Sequence, residues 1–409
     1  MKIVKGAESL FEKLTLWRRF LHEHPELSFE EIETAAFVVN ELNKIGNIQV
    51  ENKIAGNGIV ATLTTGHGPT IALRADMDAL PIQEKNDHSF ISKHDGVMHA
   101  CGHDAHMSML LGAVHLLAKQ FYEGQLTGTV KFIFQPAEEC ADEHGLSGAP
   151  YMIREGVLED VDAIVALHVC PWHPVGVIQM NNGFSMANID VFKAMIKGSG
   201  GHGGYPHLAT DPLWMLGTIL QAFYGTVGRR ISPLDIVAAS IGKIEAGAVS
   251  NVIPSDVKVA GTLRSYSPES REKLAEEVEE IFKLAEAFGG TYQFILEKGE
   301  PALNNDMELN MIIEQSINEL YPGVHIHWEP FGMGGEDFGY MTEIIPGSMF
   351  FLGCSLEDGL DRDLHTPVFD LDEQCLPMGT AIFVATVNKF LKREELHQPL
   401  NRNSILRGA

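Results

Sequence analysis

Between Met98 and Met107 the chain reads MHACGHDAHM, which sets one thiol (Cys101) beside three imidazoles (His99, His103 and His106). Thiolate and imidazole together suit a borderline-soft divalent ion, and the single glycine between Cys101 and His103 lets a turning backbone aim both at one point. Taken alone, the stretch serves equally well as a buried small thiol with core or surface histidines around it. Further donors lie downstream. Glu138 and Glu139 follow the apolar run TVKFIF and Gln135-Pro136-Ala137. Adjacent carboxylates on an extended backbone point to different sides, so one can hold a cation while its neighbour handles a proton. An acidic pair is commonly just solvated, but a position straight after a buried run makes that less natural. His168 closes the run Ala163 to Leu167, and His365 lies in LHTP. Each of these histidines alone is more often structural than ligating. Together, Cys101, His103, Glu139, His168 and His365 make five mixed donors, enough for two neighbouring cations sharing a water.

Three more residues could meet a substrate. His202 sits in the glycine-rich turn Gly198 to Gly204, where a tight backbone can project the ring as a donor to an oxyanion; an exposed loop histidine fits the same sequence. Arg264 alternates with Lys258 and Thr262 opposite Val257, Val259 and Leu263. Its guanidinium can clamp a carboxylate by two hydrogen bonds or serve as an ordinary surface charge. Asn251, ahead of Val252-Ile253-Pro254, reads as a substrate contact or a turn residue.

The elements that must carry these side chains follow from periodicity. Leu10, Leu14, Trp17 and Leu21 have helical spacing, stopped near Pro25. Ser28 and Glu31 form a capping-box pattern ahead of a helix that ends at Gly46. GIVATLTT and TIALRAD flank Gly66-His67-Gly68 and predict a hairpin that delivers Asp76 and Asp78 at a strand end. A helix is expected from about Ala105 to Phe121, capped by Asp104, with the donors just before it. Strands then alternate with helices, which predicts a mixed α/β sheet with ligands at the strand ends. From about Ile189 the order strand, helix, strand, strand, helix, strand matches a ferredoxin-like α+β unit. It is read as a satellite domain over 187–298, inserted between 1–186 and 299–409 and able to close over the sheet. MFFLGC reads as a short buried strand, Gly379 to Leu391 as a final helix and the polar tail after His397 as loose.

Composition bounds the partners. The chain has 409 residues, 45% of them apolar, and a formal net charge of -25 from 55 acidic and 30 basic residues, which argues against a nucleic-acid surface. No run approaches the ~20 apolar residues of a membrane span, and no leader pattern is read at the N-terminus, so the cytoplasm is the expected compartment. Five scattered cysteines favour reduced thiols.

The motifs ALRADMDALPIQE, MHACGHDAH, FIFQPAEE, ALHVCPWHPVG, GSGGHGGYPH, NVIP, GTLR, GGEDF and LHTPVFD stand in the order and spacing of the M20 metallopeptidase family. The chain resembles its amidohydrolase branch, that of hippurate hydrolases, N-acyl-amino-acid deacylases and indole-acetyl-amino-acid hydrolases, from the Arg18-Arg19 helix to LHTPVFD. The resemblance implies a mixed-sheet metallo-hydrolase catalytic domain with a lid and dimerisation domain inserted. It implies Cys101, His103, Glu139, His168 and His365 as ligands of two divalent ions (zinc, manganese, cobalt or nickel). Glu138 would be the general base and Asp78 the acid that orients the site, with Asp76 left open. It implies that His202 reaches the active site of a partner subunit in a homodimer or tetramer. Gly335 departs from the pattern, since the branch often has serine before Glu336-Asp337-Phe338, and Cys170 close after His168 is left either to perturb the site or to pack. The expectation is therefore an amidohydrolase acting on N-acyl amino acids. Its alternatives are an aminopeptidase or dipeptidase, an N-acetyl-diaminopimelate deacetylase, and a non-catalytic metal or amino-acid binding protein, which would need no base at position 138.

Overall fold

Apolar runs too long to leave one face in water decide the centre of the larger sheet. A computed structural model describes residues 2–356 and 358–392, so the tail after His397 lies outside the described residues. Helices α1 (Lys2–Glu8), α2 (Phe11–Glu23) and α3 (Ile32–Asn43) precede strands β1 (Gln49–Ile54), β2 (Gly58–Thr64) and β3 (Thr70–Asp76). Helix α4 (His103–Tyr122), β4 (Thr129–Gln135), α5 (Gly148–Arg154), β5 (Ala163–Cys170) and β6 (Val177–Met180) follow. Next come β7 (Gly183–Met186), β8 (Asn188–Lys197), β9 (Gly201–His202), α6 (Pro212–Arg230), β10 (Val237–Ala246), β11 (Val252–Ile253), β12 (Asp256–Ser265), α7 (Pro268–Phe282), α8 (Leu284–Ala287) and β13 (Thr291–Lys298). Beyond them lie β14 (Leu303–Asn305), α9 (Met307–Leu320), β15 (His325–Trp328), α10 (Phe338–Thr342), β16 (Gly347–Gly353) and α11 (Cys375–Lys392).

These elements form two units. The first holds the chain up to Gly183, Asn304–Phe331 and the described residues from Tyr340; the second holds Phe184–Leu303 and Gly332–Gly339. The sequence reading leaves 332–339 with the first part. In the structure that segment is tied to the second, with Ala187 N–H donating to Gly334 O and Gly332 N–H to Ser185 O.

The first unit carries an eight-stranded sheet in the order β1-β2-β4-β3-β5-β16-β6-β15. Its interior pairs β4 with β3, β3 with β5 and β5 with β16 are parallel, while β1 with β2, β2 with β4 and β16 with β6 are antiparallel, the mixed sheet expected. Every residue of β5 and β16 is buried, as strands covered on both faces must be. The predicted β2–β3 hairpin does not form, because β4 lies between those strands. Thr65 N–H donates to Gly128 O and Gly128 N–H to the Thr65 hydroxyl, so the turn holds the start of β4 in the gap. Turn chemistry reports neighbours in sequence and is silent about a strand that arrives only after α4.

Two expected caps also resolve otherwise. Ser28 Oγ donates to Asp78 Oδ2 at 2.6 Å instead of capping α3, and α3 ends at Asn43, with Lys44 as its C-cap and Asn47 rather than Gly46 taking a positive φ. Asp104 does not cap α4 either. That helix starts at His103 behind a left-handed Gly102, while Asp104 Oδ2 accepts from Arg18 and His22. His103 therefore sits in the first turn of the helix, not ahead of it.

The second unit has a four-stranded antiparallel sheet, β10-β12-β8-β13, with α6 and α7 as its crossovers, which is the ferredoxin-like order. Asp211 caps α6 by accepting from Leu213 N and Trp214 N, with Pro212 opening the first turn. Phe192, Ile196, Ile219, Phe223, Val257, Val278 and Phe282 fill its core. Among the described residues, no helix is long and apolar enough to cross a membrane.

Candidate metal centre

Each expected donor of the first unit sits where a strand or helix ends. Cys101 and His103 flank Gly102, whose φ of 88° and lack of a side chain are both needed, since a Cβ there would stand 2.4 Å from Val169 Cγ2. Glu138 and Glu139 follow β4 through Ala137, itself left-handed at φ 49°. His168 lies near the end of β5. His365, also left-handed at φ 60°, is drawn in from far along the chain because its N–H donates to Ala100 O at 2.8 Å.

The donor atoms converge. Cys101 Sγ is 3.3 Å from both His168 Nε2 and His365 Nε2. Glu139 Oε1 is 3.3 Å from His365 Nε2 and 3.7 Å from His103 Nε2. Within 4.8 Å of one another lie the sets Cys101, His103, His168; Cys101, Glu139, His365; and His103, Glu138, Glu139. Cys101 belongs to two sets, so one sulfur faces both groups of donors. Ligands about 2.0–2.3 Å from a tetrahedral ion stand roughly 3.3–3.8 Å apart, the spacing seen here.

Ring tautomers follow from the outer contacts. His103 Nδ1 is 2.8 Å from the Asp78 main-chain oxygen and His168 Nδ1 2.7 Å from the Val169 oxygen, so in each neutral ring Nδ1 carries the proton and Nε2 faces inward as a lone pair. His106 is different. Its Nδ1 donates to Asp76 Oδ1 at 2.7 Å and its Nε2 accepts from Val169 N, which uses both nitrogens and makes it a support. His103 Nε2, Glu139 Oε1 and Asp78 Oδ1 are buried and make no hydrogen bond among the described residues. Orphaned acceptors are costly in a dry interior, and a cation is the natural occupant, so the residues fit a metal.

Electrostatics agree. Burial, then the charges of Glu139, Glu138 and Asp76, push the Cys101 thiol well up. Burial alone would lower His103, but Asp76 and Asp78 outweigh it and hold the ring up at about 10. Glu139 beside it pushes His365 up. The centre thus carries an excess of negative charge that holds protons and would release them to a divalent ion. Cys170 is buried at the end of β5 with its thiol pushed up to about 12 by burial.

Glu31 was hidden by the capping-box reading. Its Oε1 accepts from Phe29 N and Ala137 N, and its Oε2 from Asn57, so it braces the turn that launches Glu138. Burial, then the Asp78 charge, pushes it up to about 7 from 4.5. A carboxyl raised on folding stabilises fully below its unfolded value and loses that contribution as pH rises through the folded one. The urea midpoint should therefore fall between about pH 5 and pH 8 more steeply in the wild type than in Glu31→Gln; equal slopes would refute this role.

The other expected residues lie in the second unit. His202, on β9, pairs with Val252 of β11, and Gly203 N–H donates to Asn251 O, so His202 and Asn251 share one exposed loop pair. Gly204 N–H donates to His202 Nδ1, which leaves the proton of the neutral ring on Nε2 as an outward donor. Arg264 stands apart on β12, its Nη1 donating to Met333 O at 2.7 Å. At Gly335 a Cβ would stand 2.2 Å from Ile189 Cδ1 and 2.5 Å from Glu300 Oε2, so a serine would require both side chains to move.

Known proteins share this build. N-acetylcysteine deacetylase of Bacillus subtilis is 38% identical over 374 residues, 91% of this chain and 95% of that protein. IAA-amino acid hydrolase ILR1-like 6 of Arabidopsis thaliana is 39% identical over 381 residues, 91% of this chain and 79% of that one. The crystal structure of the Bacillus subtilis YXEP protein, described as a dinuclear metal binding peptidase, superimposes with a TM-score of 0.82 at 34% identity, covering 94% of this chain and 99% of that one. With the pattern of peptidase family M20/M25/M40 matching residues 72–389, the chain belongs to that family.

Proposed function

We propose that the protein is a metal-dependent amidohydrolase that removes the acyl group from N-acyl amino acids. The observation that carries this reading is the convergence of Cys101, His103, Glu139, His168 and His365 with the carboxylate of Glu138 beside them. The names of the deacetylase and of the IAA-amino acid hydrolase support the same substrate class. Bound divalent ions, zinc, manganese, cobalt or nickel, supply Lewis acidity and draw the pKa of water from about 15.7 towards 7.

The chain's own residues do the rest. Glu138 takes a proton from the attacking water and returns it to the leaving amine. Asp78, which accepts from Ser28 Oγ and Glu139 N, braces the carboxylate pair and His103. His202 donates from Nε2 to the oxyanion formed in a partner subunit's site, and Asn251 and Arg264 hold the substrate carboxylate. The second unit serves as lid and dimer contact in a cytoplasmic homodimer or tetramer.

A hydrolysis screen tests this. N-acetyl, N-benzoyl and indole-acetyl amino acids should be cleaved at least about 10-fold faster (kcat/KM) than dipeptides and N-acetyl-diaminopimelate, a difference of ~1.4 kcal/mol in transition-state binding. Preferred cleavage of dipeptides would move the protein to the aminopeptidases. Acyl amino acids bound and recovered unchanged by metal-loaded protein would make it a binding protein.

A further inference from the structure

A second group of donors converges in the first unit, outside the centre above. His22 Nε2, at the end of α2, lies 3.2 Å from Glu84 Oε1, and His88 Nε2 lies 3.3 Å from the same oxygen. Asp370 Oδ2 is 3.9 Å from His88 Nε2. We propose that His22, Glu84, His88 and Asp370 form a further divalent-cation site, distinct from the catalytic centre, for a borderline ion such as Zn2+, Co2+ or Ni2+.

Three observations carry it. The first is tautomer. His22 Nδ1 lies 2.8 Å from Asp104 Oδ2, and because a carboxylate only accepts, Nδ1 carries a proton; in the neutral ring the Nε2 lone pair is then turned to the side of Glu84, 3.2 Å from its Oε1. A carboxylate behind an imidazole is the usual outer contact of a metal-binding histidine. The second is the unspent capacity of His88. Both of its ring nitrogens are shielded from solvent and neither makes a hydrogen bond among the described residues, although the ring is held flat against Phe90 at 3.8 Å between centroids. The third is spacing and burial. The three donors His22, Glu84 and His88 lie within 4.8 Å of one another, and the His22 and Glu84 side chains are 0% and 3% exposed.

Charge agrees as well. Asp104, Glu84, Asp370 and Glu373 bring four negative charges, and Arg18 and Arg19, which bond Asp104, Asp370 and Glu373, return two. One divalent ion balances the remainder with both imidazoles neutral. Two imidazoles and two carboxylates suit zinc or its neighbours better than calcium or magnesium. The rival occupant is a second proton on His22, bridging Asp104 to Glu84. Either way the role is structural: the cation pins the last turn of α2 to the loop carrying Glu84 and His88 and to the segment that follows His365.

Metal counting decides between ion and proton, and it does not depend on the substrate reading. Full-length protein stripped of metal and titrated with Co2+, followed by its absorption spectrum and by elemental analysis, should take up one more equivalent per chain than His88→Ala or Glu84→Gln. His88→Ala should hydrolyse the wild-type's substrates at the wild-type rate, and Glu84→Gln should weaken the extra site by at least about 100-fold. Equal stoichiometry in wild type and folded His88→Ala would overturn the proposal. If Glu84→Gln fails to fold, His88→Ala, whose ring is partly exposed, still gives the answer.

Discussion

Glu138→Ala should remove nearly all amide hydrolysis while the protein still folds and takes up metal at wild-type stoichiometry. The Glu138 carboxylate lies within a 4.8 Å group with the His103 imidazole and the Glu139 carboxylate, while the proposed ligands Cys101, His103, Glu139, His168 and His365 make up a donor set without it. The turn that places it is held from outside, by Glu31 on Ala137 N and by Asp78 on Glu139 N, so removing the side chain leaves its neighbours in position. Positioned general bases contribute about 10²–10⁴-fold, roughly 3–5 kcal/mol of barrier, and the loss should fall in kcat more than in KM. Steady-state kinetics on an N-acyl amino acid, paired with elemental analysis, checks it. A variant with full metal content and an undiminished rate would end the assignment of Glu138 as base.

The second large effect is on stability. Arg18 is fully buried, and its guanidinium bonds Asp104 at 2.9 Å, Asp370 at 2.8 Å and Glu373 at 3.2 Å. It thereby joins α2 to the first turn of α4, which carries His103, and to the chain just past His365. Burial opposes a charge there, but the three carboxylates outweigh it and raise the guanidinium further. Arg18→Met would leave Asp104, 0% exposed, without its main counter-charge, and breaking one partner of a buried pair costs about 3–5 kcal/mol. Urea denaturation at neutral pH should show that loss. Acid should shrink it. Burial would raise Asp104, yet Arg18 and His22 hold it well below its ordinary 3.8, so its contribution is complete above that value and declines as pH falls further. The gap between wild type and variant should therefore narrow towards about pH 3; a gap independent of pH would mean that packing, and not charge, accounts for it.

Much of this arrangement was legible in the sequence because the informative residues are punctuated by apolar runs. TVKFIF and AIVALHVC read as interior strands, which put the carboxylates and the imidazole at strand ends, where the ligands of an α/β sheet collect. The satellite's order followed from changes between twofold and 3.6-fold spacing, sharpened by Pro212 and Pro268. Other features were hidden for physical reasons. Local turn residues cannot report that β4 separates β2 from β3. Ser28 and Glu31 satisfied a capping pattern while their oxygens were committed to Asp78 and Ala137, contacts remote in sequence. One missed signal was present: Arg18 and His22 are four apart on the stripe of Leu14, Trp17 and Leu21, and charged residues on a buried stripe announce an ion network.

The hydrogen bond that fixes the His103 ring ends on the main-chain oxygen of Asp78, not on its carboxylate. Every amino acid has that oxygen. Position 78 therefore carries two separate loads: its main-chain oxygen orients the imidazole whatever side chain stands there, whereas its carboxylate, which accepts from Ser28 Oγ and Glu139 N, holds the acidic pair, so a change of side chain would be felt at Glu139 before it is felt at the ring.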